Sequence, residues 1–267
     1  MKLQNFALGR WIDGSGEGQP LYDASTGDLV ATATSNGLDF GEMLEYGRKT
    51  GNKNLRKMTF QERGRMLKAL AMFLLERKEK YYQISYKTGA TKVDSWIDIE
   101  GGIGNLFANA SLRRKLPDLP YYSEGDAIGL SKGGTFIGHH ILVPKEGVAV
   151  HINAFNFPVW GMLEKCAVNW LAGMPAIVKP ATLTSYLTEV VVRDIVESNI
   201  LPAGALQLIC GSARSLLEQV NYQDVVTFTG SASTGIALKS SPNILREAVP
   251  FNMEADSLNC IILGKDA

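Results

Sequence analysis

The chain has 267 residues, with 27 Lys and Arg against 27 Asp and Glu, so its formal charge is zero. A balanced surface offers no excess of cations to a phosphate backbone, which argues against sequence-independent nucleic-acid binding. Hydrophobic residues at 45% and charged residues at 20% exclude a disordered chain, and the length allows one large domain or two small ones with a sizeable core.

The opening segment MKLQNFALGRW lacks the apolar stretch of a secretory leader and reads as a cytoplasmic start. The following WIDGSGEGQPLYDASTGD is broken repeatedly by Gly, Asp, Ser and Pro, which predicts short strands and turns. Thr59 to Glu62 fits a capping box ahead of a helical pattern through Met66, Leu67, Leu70, Phe73, Leu74 and Tyr81, with Gly89 as its stop. A further helix is expected from Ile97 to about Leu112, then a break at Pro117 and Pro120. Residues 121–143 predict a strand, a turn at Gly133-Gly134 and a second strand. From Gly147 on, the short apolar runs GVAVHIN, MPAIVKP, ALQLIC and DVVTFTG alternate with helical stretches such as TSYLTEVVVRDIVES and SARSLLEQV. That alternation predicts an α/β fold with a parallel, Rossmann-like sheet and its ligand at the carboxyl ends of the strands. No run is long and apolar enough to span a membrane.

Four strand ends carry groups with chemical potential: Asn156 in Phe-Asn-Phe-Pro, Lys179 before Pro180, the Gly230–Gly235 segment GSASTG, and Glu254. An amide can donate to an oxyanion, a cation can bind phosphate, and a Gly/Ser-rich helix entry favours a pyrophosphate. A partly desolvated carboxylate can act as a general base. Each has a plainer alternative: a turn-forming Asn, an edge lysine, a helix cap without ligand, a surface acid. The spacing G-x4-G is neither the dinucleotide fingerprint G-x-G-x-x-G nor a P-loop. His139, His140 and His151 have no carboxylate at ligand spacing, so no metal site is expected. Cys166, Cys210 and Cys260 form no CxxC pair and suit a reducing compartment. Cys260, in the apolar run LNCIIL, reads as a buried strand residue.

Through FNFP, IVKPA, FTGSASTG and the Glu254 segment, in this order and spacing, the chain resembles the aldehyde dehydrogenase superfamily over essentially its whole length. HINAFNFPVWGMLEK and MEADSLN resemble the branch acting in phenylacetic acid degradation and aerobic benzoyl-CoA breakdown. The resemblance implies a division into residues 1–119 (the first part of the cofactor domain), 120–146 (a protruding oligomerisation hairpin) and 147–267 (the Rossmann-like region). It implies Asn156 as oxyanion donor and Glu254 as activator of the hydrolytic water. Its cofactor set is Asn153, Phe155, Lys179, Thr182, Gly211, Phe228, Gly230, Ser231 and Thr234. Thr182 stands where NAD-preferring members carry Glu, and a hydroxyl does not repel a 2′-phosphate, so NADP is expected in preference to NAD. The implied substrate is a small aldehyde, possibly linked to CoA, and the implied full-length protein is a homo-oligomer with no nucleic-acid or membrane partner.

The nucleophilic Cys of the family follows the Glu by a few dozen residues, whereas Ala267 lies thirteen residues after Glu254. Cys260 is too close to serve. The expectation is a truncated fold without its thiol domain, inactive alone. The alternative is a nucleotide- or CoA-binding scaffold without chemistry.

Overall fold

The computed structural model describes residues 1–213 and 215–265. In chain order the strands and α-helices are β1 (Gln4–Ala7), β2 (Arg10–Asp13), β3 (Gln19–Tyr22), β4 (Leu29–Ala33), α1 (Phe40–Tyr46), α2 (Lys53–Lys57), α3 (Phe60–Leu75), α4 (Lys78–Ser85), α5 (Lys92–Leu112), β5 (Tyr122–Gly129) and β6 (Ile137–Leu142). Then follow β7 (Ala149–Ile152), α6 (Pro158–Ala172), β8 (Ala176–Lys179), α7 (Ser185–Glu197), β9 (Leu206–Leu208), β10 (Val225–Gly230), α8 (Ala232–Lys239), α9 (Pro242–Arg246) and β11 (Phe251–Ala255).

Apolar runs too short for helices become the strands of a seven-stranded sheet of order β11-β10-β7-β8-β9-β1-β2. The five strands from β11 to β9 are parallel, and β1 and β2 close the far side antiparallel. Side chains alternate across the sheet. Ala176 and Val178 join the core under α3, α5, α6 and α7, while Val150, Ile177 and Val226 join the core on the opposite face. Apolar surface on both faces explains why these strands read as continuous hydrophobic runs. The parallel, helix-covered sheet agrees with the expected fold class.

Helix α3 starts on the expected Thr59–Glu62 capping box, a local device worth about 1 kcal/mol. The helical run does not continue unbroken to Gly89. It is interrupted at Arg77, whose backbone leaves helical geometry (φ −107°, ψ 4°). Arg77 donates from Nη1 to Phe73 O at 3.0 Å. Gly89 then ends the final turn with φ 84°, a left-handed conformation that suits glycine. Helix α5 begins at Lys92, earlier than Ile97, because Thr91 and Asp94 form a second capping box. In the expected helix SARSLLEQV, Arg214 lies outside the described residues, and the described ones form only a 3-10 turn at Leu216–Glu218. Asn243 Nδ2 donates to the carbonyls of Leu217 and Val220 at 2.9 and 2.8 Å, so a side chain takes acceptors that a continuing helix would use. Cys260 is exposed and lies outside any strand, with Ile261 and Ile262 almost fully exposed beside it. Its apolar neighbours have no facing layer here, so the expected burial is not realised.

Helices α5 and α6 pack unusually close. A Cβ at Gly101 would overlap the Trp160 ring, and one at Gly102 would lie 2.9 Å from Trp160 Cα. This approach lets buried Asp98 accept from the backbone N–H groups of Val159 (3.0 Å) and Trp160 (2.7 Å). Burial pushes the Asp98 carboxyl up to about 7, against the pull of those two hydrogen bonds. β5 and β6 form a separate two-stranded sheet around the expected turn. Among the described residues no helix is long and apolar enough to cross a membrane, and no His, Cys, Asp and Glu cluster could hold a metal ion.

His151 is fully buried on β7, where Asn169 Nδ2 lies 2.8 Å from Nε2 and Cys166 Sγ lies 3.7 Å from Nδ1. Burial drives its pKa down to about 3, with the nearby Lys165 charge adding to the shift. The folded value lies below the ordinary one, so its contribution is complete above about pH 6.5 and is lost as pH falls toward 3. Asp98 has the opposite sign: its raised value costs stability as pH rises from about 4 through 7. Thermal unfolding between pH 7 and 4.5 should show wild type losing stability at up to about 1.4 kcal/mol per pH unit more steeply than His151→Gln. Equal slopes would remove His151 from the acid response.

Candidate functional site

The order in which strands are added reverses between β10 and β7. From β7 the chain steps outward through β8 and β9, then returns to place β10 on the other side of β7 and β11 beyond it. Loops leaving the carboxyl ends of β7 and β10 therefore go to opposite faces, and a crevice opens between them. The register aligns the relevant ends: Ile152 pairs with Lys179 and with Phe228, Thr229 with Glu254, and Gly230 with Ala255.

One face of this rim carries Asn156 and Glu254. Both line a cavity of about 210 Å³ together with Thr229, Trp160, Glu164 and Lys165. Thr229 Oγ1 donates to Glu254 Oε2 at 3.2 Å. Glu164 accepts from Trp160 Nε1 at 2.8 Å and pairs with Lys165 Nζ at 2.7 Å. The turn that presents Asn156 is strained: Phe157 has φ 53° and ψ 55°, and Pro158 then starts α6. A bulky residue held in left-handed geometry at a cavity edge is the kind of strain that gathers at working sites. Asn156 and Glu254 are both exposed, so the described residues supply neither the dry surroundings nor the desolvation that their chemistry requires.

The opposite face carries the cation and the helix entry. Lys179 is half-buried, and burial lowers its pKa. Its Nζ lies 3.5 Å from Thr182 Oγ1, and it has no carboxylate partner among the described residues. An ammonium so weakly satisfied retains the capacity to meet an anionic oxygen. Phe228 lies on this face beneath α8. A Cβ at Gly235 would lie 3.0 Å from its ring, and one at Gly230 would lie 2.6 Å from it. At both glycines of GSASTG a side chain would crowd Phe228, whatever they bind. Ser231 caps α8 by accepting from Thr234 N at 3.3 Å. The N–H of Ala232 is taken by Asp256 Oδ1 at 2.9 Å. A carboxylate of the chain therefore occupies a helix end suited to a phosphate.

Three expected cofactor residues are placed differently from this group. Asn153 is buried, and its Oδ1 and Nδ2 both lack partners. A Cβ on Gly161 would lie 3.9 Å from it, so it faces α6 and not the Lys179 face. Gly211 is buried beyond β9, where a Cβ would lie 2.7 Å from Ser35 Oγ. Phe155 is exposed on the Asn156 loop and lines a neighbouring cavity of about 330 Å³ with Asp98. The sequence reading missed Thr229, Trp160, Glu164, Lys165 and Asp98. The Pro-initiated helix after FNFP was a usable signal for three of them, since Trp160 and Glu164 are four apart and share its first turns. Asp98 has no such local signal.

The aldehyde dehydrogenase family profile matches residues 11–267. The 3,4-dehydroadipyl-CoA semialdehyde dehydrogenase of Aromatoleum evansii is 43% identical over the whole chain, which covers 52% of that protein. The NADP-dependent glyceraldehyde-3-phosphate dehydrogenase of Bacillus halodurans C-125, solved with NADP, superposes at a TM-score of 0.81 with 20% identity. That match covers 96% of this chain and 53% of the other. PnpE, solved with nicotinamide adenine dinucleotide, gives a TM-score of 0.79 at 21% identity, covering 96% and 51%. The chain thus spans about half the length of the relatives it matches. With the family's profile running from the second strand to the last residue, the chain belongs to the aldehyde dehydrogenase family.

Proposed function

We propose that this chain binds NADP across the rim and contributes Asn156 and Glu254 to the oxidation of an aldehyde, a CoA-linked semialdehyde of aerobic aromatic degradation. The observation that carries the reading is the placement of the amide and the carboxylate in one cavity where the strand order reverses, with a cation on the other face that has no carboxylate partner among the described residues. The 43% identity to a CoA-semialdehyde dehydrogenase supports the substrate class.

In this reading the residues of the Lys179 and α8 face would hold the adenosine half of the cofactor, and bound NADP would serve the chemistry at Asn156 and Glu254. Lys179 and Thr182 would hold the ribose or its 2′-phosphate, Phe155, Phe228 and Thr234 would line the cleft, and Gly230 with Ser231 would hold the pyrophosphate. Asn153 and Gly211 are buried, and the Asn153 N–H is given to Lys179 O at 3.0 Å, so neither is set against the ligand in this reading. Bound NADP supplies the hydride acceptor. The Asn156 amide donates to the oxygen that gains charge when a thiolate attacks the aldehyde. Glu254 takes a proton from the water that releases the acid. Thr229, donating to Glu254, limits the orientations open to that carboxylate. Cys166 and Cys210 are fully buried, with thiol pKa values raised by desolvation, and neither suits attack. Cys260 does not line the cavity. The 267-residue chain is expected to bind cofactor without turning it over.

The exposed apolar residues Ile128, Ile137, Ile141 and Leu142 on the β5–β6 hairpin fit an oligomerisation arm covered by a second copy.

Calorimetric titration should show NADP binding tighter than NAD. Lys179→Gln should weaken NADP roughly tenfold, about 1.4 kcal/mol, and NAD less. Equal loss for both ligands would remove Lys179 from the 2′-phosphate. Asp256→Ala should tighten binding severalfold by freeing the Ala232 N–H, and unchanged affinity would place the pyrophosphate elsewhere. Light scattering should give a mass above the monomer that Ile137→Asp with Ile141→Asp returns to one chain. A monomeric wild type would overturn the arm for this chain.

A further inference from the structure

Helix α6 starts without a cap of its own. Phe157 occupies the N-cap position in left-handed geometry, and its side chain makes no capping hydrogen bond. The first N–H groups of a helix have no partner within the helix and need one from elsewhere. Here a different helix provides it. Asp98, on α5, accepts from Val159 N at 3.0 Å and from Trp160 N at 2.7 Å, both through Oδ1. The two bare glycines of α5 that lie against Trp160 make the approach possible. Asp98 is only 3% exposed, yet it borders the 330 Å³ cavity whose other wall is the loop from Phe155 to Pro158.

The chain therefore joins two costly features at one point: a buried carboxylate and a strained phenylalanine. Phe157 adjoins Asn156 in the chain, and Asp98 holds the N–H groups three and four residues after Asn156. A polar residue at position 157 would cap the helix locally, but it would do so with ordinary N-cap backbone geometry. The left-handed turn at Phe157, which aims Asn156 into the cavity beside Glu254, leaves the cap to come from outside.

We propose that Asp98 is the positioning residue for Asn156: by holding the N–H groups of Val159 and Trp160 it fixes the start of α6 and with it the direction of the Phe155–Phe157 loop. This inference rests on the reading of Asn156 as an oxyanion donor. Ser85 and Thr88 face Asp98 across the cavity and do not titrate. Asp94, one turn earlier on α5, is turned to the hydroxyl of Thr91 at 2.6 Å. On α6 the nearest charged groups are Glu164 and Lys165, which pair with each other. Burial lifts the Asp98 carboxyl toward neutrality, so its ionisation can be followed in a convenient range.

The test is amide NMR with hydrogen exchange on the isotopically labelled 267-residue chain. In wild type the Val159 and Trp160 N–H signals are expected to shift together with pH, and the backbone and side-chain amide signals of Asn156 to follow the same midpoint. Asp98→Asn keeps an acceptor at Oδ1 and should abolish that titration while preserving slow exchange at 159 and 160. Asp98→Ala should speed exchange there at least tenfold and broaden or displace the Asn156 signals. Rescue by Asn but not Ala identifies the hydrogen bonds as the agent. If Val159 and Trp160 respond while Asn156 is indifferent, the cap is structural only and the proposal fails. If neither responds, the cap does not exist in solution. Should Asp98→Ala not fold, the wild-type titration and the Asp98→Asn comparison still decide between these outcomes. NADP titration of the same samples tests the functional reading separately, since Lys179 and α8 lie on the other face of the rim.

Discussion

In-register parallel pairing of β11, β10, β7 and β8 is the constraint on which the site depends. Each strand contributes four to six residues, too few to carry a site alone. Pairing brings their ends to one edge, and the pleat then sorts the groups by face. Glu254 and Thr229 go one way, and Phe228 and Lys179 the other. A slip of one residue in β11 would turn Glu254 to the α8 face and put Met253 in the cavity. The register is held by packing: Met253 and Phe228, paired across the strands, both lie against Gly235 of α8. The glycine that resembles a ligand loop in the sequence is also the one that lets α8 settle on the sheet.

The second element of the design is the closeness of α5 and α6. Two adjacent glycines in α5 forgo about 1 kcal/mol each of helix propensity relative to alanine. In return Trp160 packs directly on the helix backbone, and Asp98 reaches the start of α6. The cavity beside Asn156 thus has one wall, with Trp160 and Glu164, placed by α6, while the loop with Asn156 is anchored from α5. Residues distant in sequence set the geometry of a turn whose own sequence, Phe-Asn-Phe-Pro, specifies an abrupt start and little more.

Charge is distributed to match. The cavity on the α6 face is lined by Glu254, Glu164 and Lys165, while Lys179 on the α8 face has no carboxylate partner among the described residues. A ligand with phosphates at one end and a cationic ring at the other would fit that arrangement. Asp256 runs against it, because its carboxylate sits on the α8 helix end. The Asp256 backbone is itself left-handed, with φ 59°, a conformation that glycine adopts more readily.

Sequence alone determined the elements whose causes are local. The Thr59 capping box, the glycine stop at 89 and the alternation of short apolar runs with helices each depend on residues a few positions apart. Together they imply a parallel sheet with its groups at the strand ends. Order and spacing of FNFP, IVKPA, FTGSASTG and Glu254 carried the family. What needed tertiary structure was whatever depends on partners far along the chain. The chain at Leu216–Glu218 makes only a 3-10 turn, and Asn243 takes the carbonyls of Leu217 and Val220 there. Asn153, on paper a rim residue, faces α6 with its amide unsatisfied because β7 alternates sides at that point. Asp98, an unremarkable acid in a long helix, acts on a loop some sixty residues away, since only the folded packing of α5 on α6 brings a carboxylate to two unpaired N–H groups.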